Sequence, residues 1–324
     1  MYYIIVNPAS KSGRGAKIWA KIQPVLEQQK IPYEVFFSQE AGHVIKLTAD
    51  LSASLLSADS DFILKLIVLG GDGTLNEVLQ GIADFDRVQV GYIPTGSSND
   101  MARDLRLPKD PCEVLKNILS CKEPMRMDLG CLTYEQPPEK LSRYCGSNPA
   151  STRFFSVSSG IGFDAAVCEE ALASKFKNIL NKIGLGKLTY LGIALKQLIK
   201  AKKVTCTITL DDQKKIHLPK FLFVACMIHQ YEGGGFKFCP GADSGDGLID
   251  VCAVGNIPKW LILLALPTAF SGKHYRFHGI DHYMARKIRL ETSIPLWVHT
   301  DGEVTMKCCS ISLSCEQQKI QFLL

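Results

Sequence analysis

The run of residues best suited to chemistry in this sequence is Gly70–Glu77, which reads Gly-Gly-Asp-Gly-Thr-Leu-Asn-Glu. Glycines let backbone N–H groups approach phosphate oxygens closely, and they tolerate positive φ. Asp72 adds a carboxylate that can meet a metal ion or a hydroxyl. Thr74 and Glu77 have capping-box spacing, which predicts a helix whose N-terminus faces an anion. The run therefore predicts a phosphate-binding turn.

Two further polar loops accompany this turn. Asn7–Gly13 follows the apolar run Tyr2–Val6, and Gly96–Asp100 follows the apolar run Val88–Ile93, just as the glycine turn follows Phe62–Leu69. Loops after parallel strands meet at the carboxyl edge of the sheet, where open α/β folds bind ligands. The sequence contains neither a P-loop nor a dinucleotide fingerprint after the first strand. These loops together predict a phosphate-binding crevice of another kind.

Two acidic turns lie late in the chain. Asp301-Gly302-Glu303 follows an apolar strand, and its local sequence is typical of a hairpin turn. Asp243–Leu248 contains another Asp-Gly pair, and its local sequence favours a solvated turn. Neither turn reveals a chemical role by its spacing alone.

Apolar strands alternate with helical patterns over residues 1–124, which predicts an α/β domain with a parallel sheet. Residues 125–324 are richer in strands with alternating polarity, which predicts an all-β domain with one or two helical insertions. Ile216–Leu218 and Phe221–Ile228 are predicted as separate strands, as are Lys287–Glu291 and Leu296–His299. Phe154–Ser159 is predicted as one strand. Residues 135–152 are predicted as a long hairpin loop, and we expect the C-terminal tail to return to the first domain.

The composition is that of an ordinary globular protein. Of 324 residues, 46% are hydrophobic and 21% are charged, with a formal net charge of +5. This charge is small for a nucleic-acid binder, so no nucleic-acid partner is expected. The 12 cysteines include no Cys-x-x-Cys pair, which favours thiols in a reducing compartment. The apolar run Trp260–Phe270 is too short to span a bilayer, and no signal peptide is visible, so we expect a cytoplasmic protein.

Positive charge is concentrated in Lys175–Lys203, because residues 171–210 contain no acidic residue. Leucines and an isoleucine recur there at helical spacing, with Lys196, Lys200 and Lys203 on the other face. A helix packed on the core with a solvated lysine face explains this pattern. A peripheral contact with anionic lipid at the inner membrane face is the functional alternative.

The sequence resembles the lipid kinases that share a catalytic domain with diacylglycerol kinases and sphingosine kinases, in their compact bacterial form. The resemblance covers the whole chain in the family's order. The matching segments are Asn7-Pro8 with Ser12-Gly13, Gly70–Glu77, Gly96–Asp100, Asp128–Gly130, Gly160–Ala165, Gly233–Lys237, Asp246–Asp250 and Asp301–Glu303.

The resemblance implies an α/β ATP-binding domain, similar to those of phosphofructokinases and NAD kinases, followed by a β-sandwich domain. It also implies Mg²⁺-dependent phosphoryl transfer from ATP to a lipid hydroxyl in the cleft between the domains. The ATP contacts that it implies are Asn7, Ser38, Gly70, Gly71, Asp72, Gly73, Thr74, Leu75, Asn76 and Ser97. Ser38 and Ser97 stand where the family more usually has threonine.

The resemblance also implies the catalytic residues. Glu303 takes the position of the base that accepts the proton of the lipid hydroxyl, and Asp72 and Asp100 act beside the nucleotide. A structural Mg²⁺ is implied at the side chain of Asp246 and the backbone carbonyls of Asp243 and Leu248.

Alternatives to a lipid kinase remain open. NAD kinases and phosphofructokinases also carry a Gly-Gly-Asp-Gly-Thr turn, so a soluble hydroxyl acceptor is the second prediction. A binding protein on an inactive kinase fold is disfavoured because Asp72, Asp100 and Glu303 are all present. Diacylglycerol, a sphingoid base and undecaprenol all offer a primary hydroxyl beside an apolar tail, and a homodimer is allowed.

Overall fold

The computed structural model of the chain describes residues 1–58, 62–137, 139–142, 150–173, 186–202 and 204–324. The chain divides into two compact units. The first comprises Met1–Leu129 together with Glu316–Leu324, and the second comprises Gly130–Cys315. The chain therefore leaves the first unit within one strand and returns to it within another.

The first unit is an α/β domain with a parallel sheet. Its strands are β1 (Tyr2–Val6), β2 (Tyr33–Phe37), β3 (Leu64–Gly70) and β4 (Val88–Pro94). Its helices are α1 (Ser10–Gln28), α2 (His43–Ala58), α3 (Asp72–Gly81), α4 (Asp100–Asp104) and α5 (Pro111–Ser120). The strand order is β2-β1-β3-β4, and every neighbouring pair is parallel.

The C-terminal residues complete this sheet. Gln321, Phe322 and Leu323 pair in parallel with β4. Leu323 is buried in the same apolar cluster as Ile4 and Ile67, which lies between the sheet and helices α1 and α5. The apolar strands are therefore covered as a parallel sheet requires.

The second unit is built mainly of antiparallel strands. Strand β5 (Met125–Tyr134) enters it, and β14 (Glu303–Leu323) leaves it. The strands between them are β6 (Lys140–Leu141), β7 (Thr152–Phe155), β8 (Ser158–Gly162), β9 (Val204–Leu210), β10 (Lys214–Met227), β11 (Ile249–Gly255), β12 (Ile280–Ala285) and β13 (Lys287–Thr300). The helices are α6 (Phe163–Ala173), α7 (Gly186–Lys200) and α8 (Lys259–Ala269).

Strands β10 and β13 are each long and bent. The first half of β10 pairs with β9 and its second half with β8. Strand β13 pairs with the same two partners, so the four strands close into a ring. The register shifts between Leu218 and Phe221 in β10 and between Glu291 and Leu296 in β13. Pro219 and Pro295 lie at these shifts.

The sequence predicted separate strands on either side of each proline. That prediction was wrong, because β10 and β13 are each one continuous strand. Proline lacks the N–H that a regular ladder needs, but a bulge tolerates it. Phe154–Ser159, predicted as one strand, is instead divided between β7 and β8, and β12 was not predicted. Strands β5 and β7 pair antiparallel, as the predicted hairpin requires. Residues 138 and 143–149 of its loop lie outside the described residues.

The predicted fold class, a parallel α/β domain followed by a β-rich sandwich-like domain, is confirmed. Within the described part of the chain, no helix combines the length and apolar character needed to cross a bilayer.

Candidate active site

The polar residues singled out in the sequence lie at the carboxyl ends of four parallel strands. Asn7 follows β1, Ser38 follows β2, Asp72 follows β3 and Ser97 lies in the loop after β4. Because neighbouring strands are parallel, these four positions share one edge of the sheet. Ser38 is half-buried and Ser97 is exposed at this edge.

Side-chain hydrogen bonds join these loops. The Asn7 amide nitrogen donates to the Thr74 hydroxyl at 3.0 Å. The hydroxyls of Ser10 and Thr95 lie 2.6 Å apart. The backbone N–H of Thr95 donates to the Gly70 carbonyl at 2.7 Å. The loops after β1, β3 and β4 are therefore held as one surface.

Glycines let two of these loops touch through their backbones. A Cβ atom on Gly96 would lie 2.5 Å from the Gly71 Cα atom, and one on Gly71 would lie 3.0 Å from the Gly96 Cα atom. No real Cβ atom is accommodated at the shorter distance, so a side chain at position 96 would separate the two turns.

The two aspartates of this edge lie side by side. An Asp72 carboxylate oxygen, Oδ2, accepts a hydrogen bond from the backbone N–H of Asp100 at 3.2 Å. Asp100 is 4% exposed, and its Oδ1 atom lies 3.8 Å from the Arg103 Nε atom. Asp72 is also the first residue of α3, where the helix dipole stabilises negative charge.

The predicted capping box at Thr74 and Glu77 was wrong. Helix α3 begins after Gly71, which has no side chain to cap it. The Glu77 carboxylate instead accepts from the backbone N–H groups of Gly42 at 2.9 Å and Val44 at 3.2 Å. Glu77 therefore caps α2 and fastens the loop that carries Ser38 to α3.

Helix α3 also limits how the predicted ATP contacts can act. Leu75 and Asn76 are fully buried, and Thr74 is 7% exposed. The Leu75 N–H donates to the Gly71 carbonyl at 3.1 Å, so backbone contacts with phosphate must come from the residues of the first helical turn that precede Leu75.

The second unit holds the acidic turn at Asp301–Glu303. Asp301 and Gly302 have φ angles of 50° and 83°, and Thr300 pairs with Glu303 across them. This is the geometry of a two-residue hairpin, which Asp-Gly favours. Glu303 is half-buried at the start of β14.

Asp301 clamps this turn to the segment between β7 and β8. Its Oδ1 atom accepts from the backbone N–H groups of Val157 at 2.8 Å and Ser158 at 3.0 Å, and its Oδ2 atom accepts from that of Ser156 at 3.0 Å. The sequence singled out Glu303 in this motif but gave Asp301 no role. Its partners lie more than 140 residues away, so no local pattern reveals them.

A buried polar cluster supports the same turn. His299, which is not exposed, has its Nε2 atom 3.1 Å from Asp164 Oδ2 and 3.2 Å from Glu232 Oε1. A Cβ atom on Gly160 would lie 1.8 Å from Asp164 Oδ2, so only glycine leaves room for the cluster. The cluster joins Asp164 of the segment Gly160–Ala165 to Glu232 and His299, which lie just before two other matching segments, and sequence reasoning missed it.

The hydrogen bonds assign the proton of this histidine. The backbone N–H of Gly302 donates to His299 Nδ1 at 3.2 Å, so Nδ1 is an acceptor and Nε2 carries the proton that faces the carboxylates. Burial raises the pKa of the Asp164 carboxyl above its ordinary value.

The side chains of Asp164, Glu232 and His299 lie close enough together to hold a metal ion. A protonated Nε2 cannot ligate one, so we interpret the cluster as a network that holds Gly302, the residue before Glu303.

The acidic loop at residues 243–248 turns twice, and Asp243 and Asp246 are exposed on it. Asp243 Oδ1 accepts from the Gly245 N–H at 3.0 Å, and Asp246 Oδ1 accepts from the Leu248 N–H at 2.9 Å. Both contacts are local Asx turns. They bring the Asp246 carboxylate close to the backbone of Leu248, which the sequence analysis placed in one metal site.

Known proteins resemble the chain in both units. The family model described as "Diacylglycerol kinase catalytic domain" matches residues 1–132. The model described as "YegS C-terminal NAD kinase beta sandwich-like domain" matches residues 156–322. The two matches follow each other in the order that the resemblance implies.

Similar proteins match along most of their length. The Bacillus subtilis protein named "Putative lipid kinase YtlR" is 28% identical over 310 residues, which cover 94% of this chain and 93% of the relative. A diacylglycerol kinase of Staphylococcus epidermidis is 27% identical over 321 residues, covering 97% of this chain and 89% of the relative. A diacylglycerol kinase structure from Bacillus anthracis superimposes with a TM-score of 0.67 at 20% identity, covering 99% of this chain and 96% of that one.

The structural match shows the shared fold, and the two family models and the relatives show the lineage. This chain belongs to the bacterial diacylglycerol kinase-like family of lipid kinases, which are enzymes that phosphorylate an alcohol acceptor.

Proposed function

We propose that this enzyme transfers the γ-phosphate of ATP to the primary hydroxyl of a membrane lipid such as diacylglycerol. The observation that supports this most is the joined edge of the parallel sheet. Asn7, Asp72 and Asp100 meet there beside the backbone N–H groups of α3. Backbone donors and a helix N-terminus stabilise the negative charge of a polyphosphate.

Glu303 acts on the acceptor in this proposal. Its carboxylate orients the lipid hydroxyl and takes its proton late in the transfer. The clamped turn supports this role, because Asp301 and His299 fix the backbone on which Glu303 is carried. The family resemblance adds the expectation of an active-site cleft, which the proposal retains.

The donor set at Asp72 and Asp100 fits Mg²⁺, which prefers hard oxygen ligands and binds through one or two carboxylates together with phosphate oxygens. When bound, the ion neutralises negative charge on the phosphates. The Asp72 carboxylate is held at the start of α4, because the Asp100 N–H donates to it.

A structural Mg²⁺ at Asp246, with the backbone carbonyls of Asp243 and Leu248, is a separate part of the proposal. We expect chelation to lower both the melting temperature and the activity, and Mg²⁺ to restore both. Asp246→Asn should lower both permanently. Asp243→Asn is the matched control, because it keeps the backbone carbonyl and the Asx turn. A melting temperature unchanged by chelator and by Asp246→Asn would contradict this site.

The acceptor class is tested by ATP consumption with different acceptors. We expect ADP release to rise when micelles containing diacylglycerol, a sphingoid base or undecaprenol are added, and not when NAD is added. Stimulation by NAD alone would establish the soluble-acceptor alternative. A chain that binds ATP without turnover on any acceptor would be a binding protein instead.

A lipid acceptor requires the enzyme to reach a membrane, so we also propose a peripheral, cytoplasmic location at the inner face. The lysine-rich segment supports this only in part. Its residues 174–185 and 203 lie outside the described residues, and Lys196 forms an ion pair with Glu170 of α6. The homodimer stays an expectation.

A further inference from the structure

Helix α8 is apolar on the face that it buries and also on the face that it exposes. Ile262, Ala265 and Ala269 are buried, and Ala265 packs in a cluster with Phe223 and Val254. On the opposite face, Trp260 is 63% exposed, Leu263 42% and Leu264 56%. These three positions have i, i+3, i+4 spacing, so they form one continuous surface. A surface helix ordinarily places polar residues there.

The exposed side chains of Ile199 and Phe270 extend this apolar face, and Lys259 holds Ile199 in place. Lys259 Nζ donates to the backbone carbonyls of Ile199 at 2.9 Å and Ala201 at 2.7 Å, which holds the end of α7 against the start of α8. Ile199 is 78% exposed, and Phe270, just after α8, is 51% exposed. Trp260, Leu263, Leu264, Phe270 and Ile199 are called the α8 surface below.

The charged residues in the segments that carry the α8 surface have one sign. Residues 251–280 contain no aspartate or glutamate. Lys200 and Lys202 are exposed at the end of α7, and Lys273 and Arg276 are exposed after α8. An apolar surface bordered by cations complements a bilayer that carries anionic headgroups, and tryptophan suits the boundary between tails and water.

The α8 surface is also connected to the turn that carries Glu303. The Phe270 ring stacks on Phe236 with centroids 4.2 Å apart, and the Lys237 N–H donates to the Ala269 carbonyl at 2.8 Å. Phe236 closes a short loop whose first residue, Glu232, pairs with it through both backbone hydrogen bonds. The Glu232 carboxylate contacts His299.

We propose that the α8 surface docks this enzyme onto an anionic lipid bilayer, with its apolar side chains entering the interface and the bordering cations meeting the headgroups. This inference rests on the proposed lipid kinase function. It places the membrane contact on α8 and the end of α7, and not on the lysine-rich segment as a whole. Docking there brings the membrane to the loop Glu232–Phe236, whose Glu232 carboxylate contacts His299 beside the turn that carries Glu303.

Sedimentation with vesicles tests the docking. We expect the triple variant Trp260→Ser/Leu263→Ser/Leu264→Ser to bind vesicles of equal parts phosphatidylglycerol and phosphatidylcholine about tenfold more weakly, or worse, because its apolar contact is lost. Met125→Ser, which removes an exposed apolar side chain at the start of β5, is the matched control and should bind normally. Lys200→Gln and Lys202→Gln should each weaken binding to these vesicles about fivefold, with little effect on pure phosphatidylcholine.

Quenching of tryptophan fluorescence tests the docking on the unmodified enzyme, so the result does not depend on whether the triple variant folds. Brominated phosphatidylcholine mixed into the anionic vesicles should quench the Trp260 fluorescence. Quenching that persists unchanged in Trp260→Phe, or equal vesicle binding by the triple variant, would overturn the docking proposal. So would loss of a dimer in the triple variant by light scattering, since the surface would then belong to a second copy.

Activity separates this proposal from the proposed function. On a monomeric short-chain lipid analogue, the triple variant should keep the kcat of the unmodified enzyme, while its KM for lipid in vesicles rises. An unmodified enzyme that phosphorylates neither form would contradict the proposed function and leave the vesicle result to decide on docking alone.

Discussion

Asp72→Asn is expected to lower kcat about 10²–10³-fold, the usual effect of removing one preorganised charge-stabilising group from an active site. Asp72 begins α3 at the edge of the sheet, and its carboxylate is bonded to the Asp100 N–H. Asparagine keeps the shape but removes the negative charge that holds a cation near the phosphates. The fold should persist, because the Asn76 and Leu75 positions that anchor α3 are unchanged.

Steady-state kinetics with saturating ATP and lipid, together with a thermal melt, check this expectation. Glu113→Gln is the matched control, since it removes an exposed carboxylate of α5 in the same unit. Asp72→Asn with more than about a tenth of the normal kcat, a loss under about 1.4 kcal/mol, would show that Asp72 does not take part in the reaction.

Glu303→Gln is expected to lower kcat about 10²–10⁴-fold, the range for loss of a general base. Glutamine preserves the size of the side chain but cannot accept the proton of the hydroxyl. The turn itself should hold, because its clamp comes from Asp301 and its support from His299. The KM for ATP should stay within a few-fold, since the ATP contacts belong to other residues.

The matched control for this variant is Glu291→Gln, an exposed carboxylate on β13. Near-normal kcat at saturating lipid in Glu303→Gln would rule out Glu303 as the base. Equal damage to kcat and to the affinity for ATP would instead indicate a ligand of the catalytic metal ion.

The polar residues at the carboxyl edge of the parallel sheet could be predicted, because each of them follows a pattern in the local sequence. A buried apolar run ends, a polar glycine-containing loop follows, and parallel pairing brings the loops together, so Asn7, Asp72 and Asp100 are found from the sequence alone. The same local logic was wrong for Glu77. Its spacing to Thr74 permits a capping box, but the Glu77 carboxylate binds the N–H groups of α2 instead.

The contacts that hold the turn Asp301–Glu303 could not be predicted, because they join segments that are far apart in the sequence. His299 meets Asp164 and Glu232, and Asp301 meets Val157, across more than 65 residues in each case. The bend of β10 was not predicted either. Ile216–Leu218 and Phe221–Ile228 were predicted as separate strands, whereas β10 continues through a bulge at Pro219. Trp260–Phe270 was noted as an apolar run, but its exposed face becomes evident only in the structure.

Transfer of label from ATP labelled at its γ-phosphate into extracted lipid tests the central claim most directly. The enzyme, Asp72→Asn and Glu303→Gln are incubated in parallel with micelles of each candidate lipid, and the organic phase is counted and its product identified. We predict that the enzyme forms a lipid phosphomonoester with at least one lipid and that both variants form it at a small fraction of that rate. Label that stays in the aqueous phase with every lipid, or equal lipid labelling by all three proteins, would contradict the account.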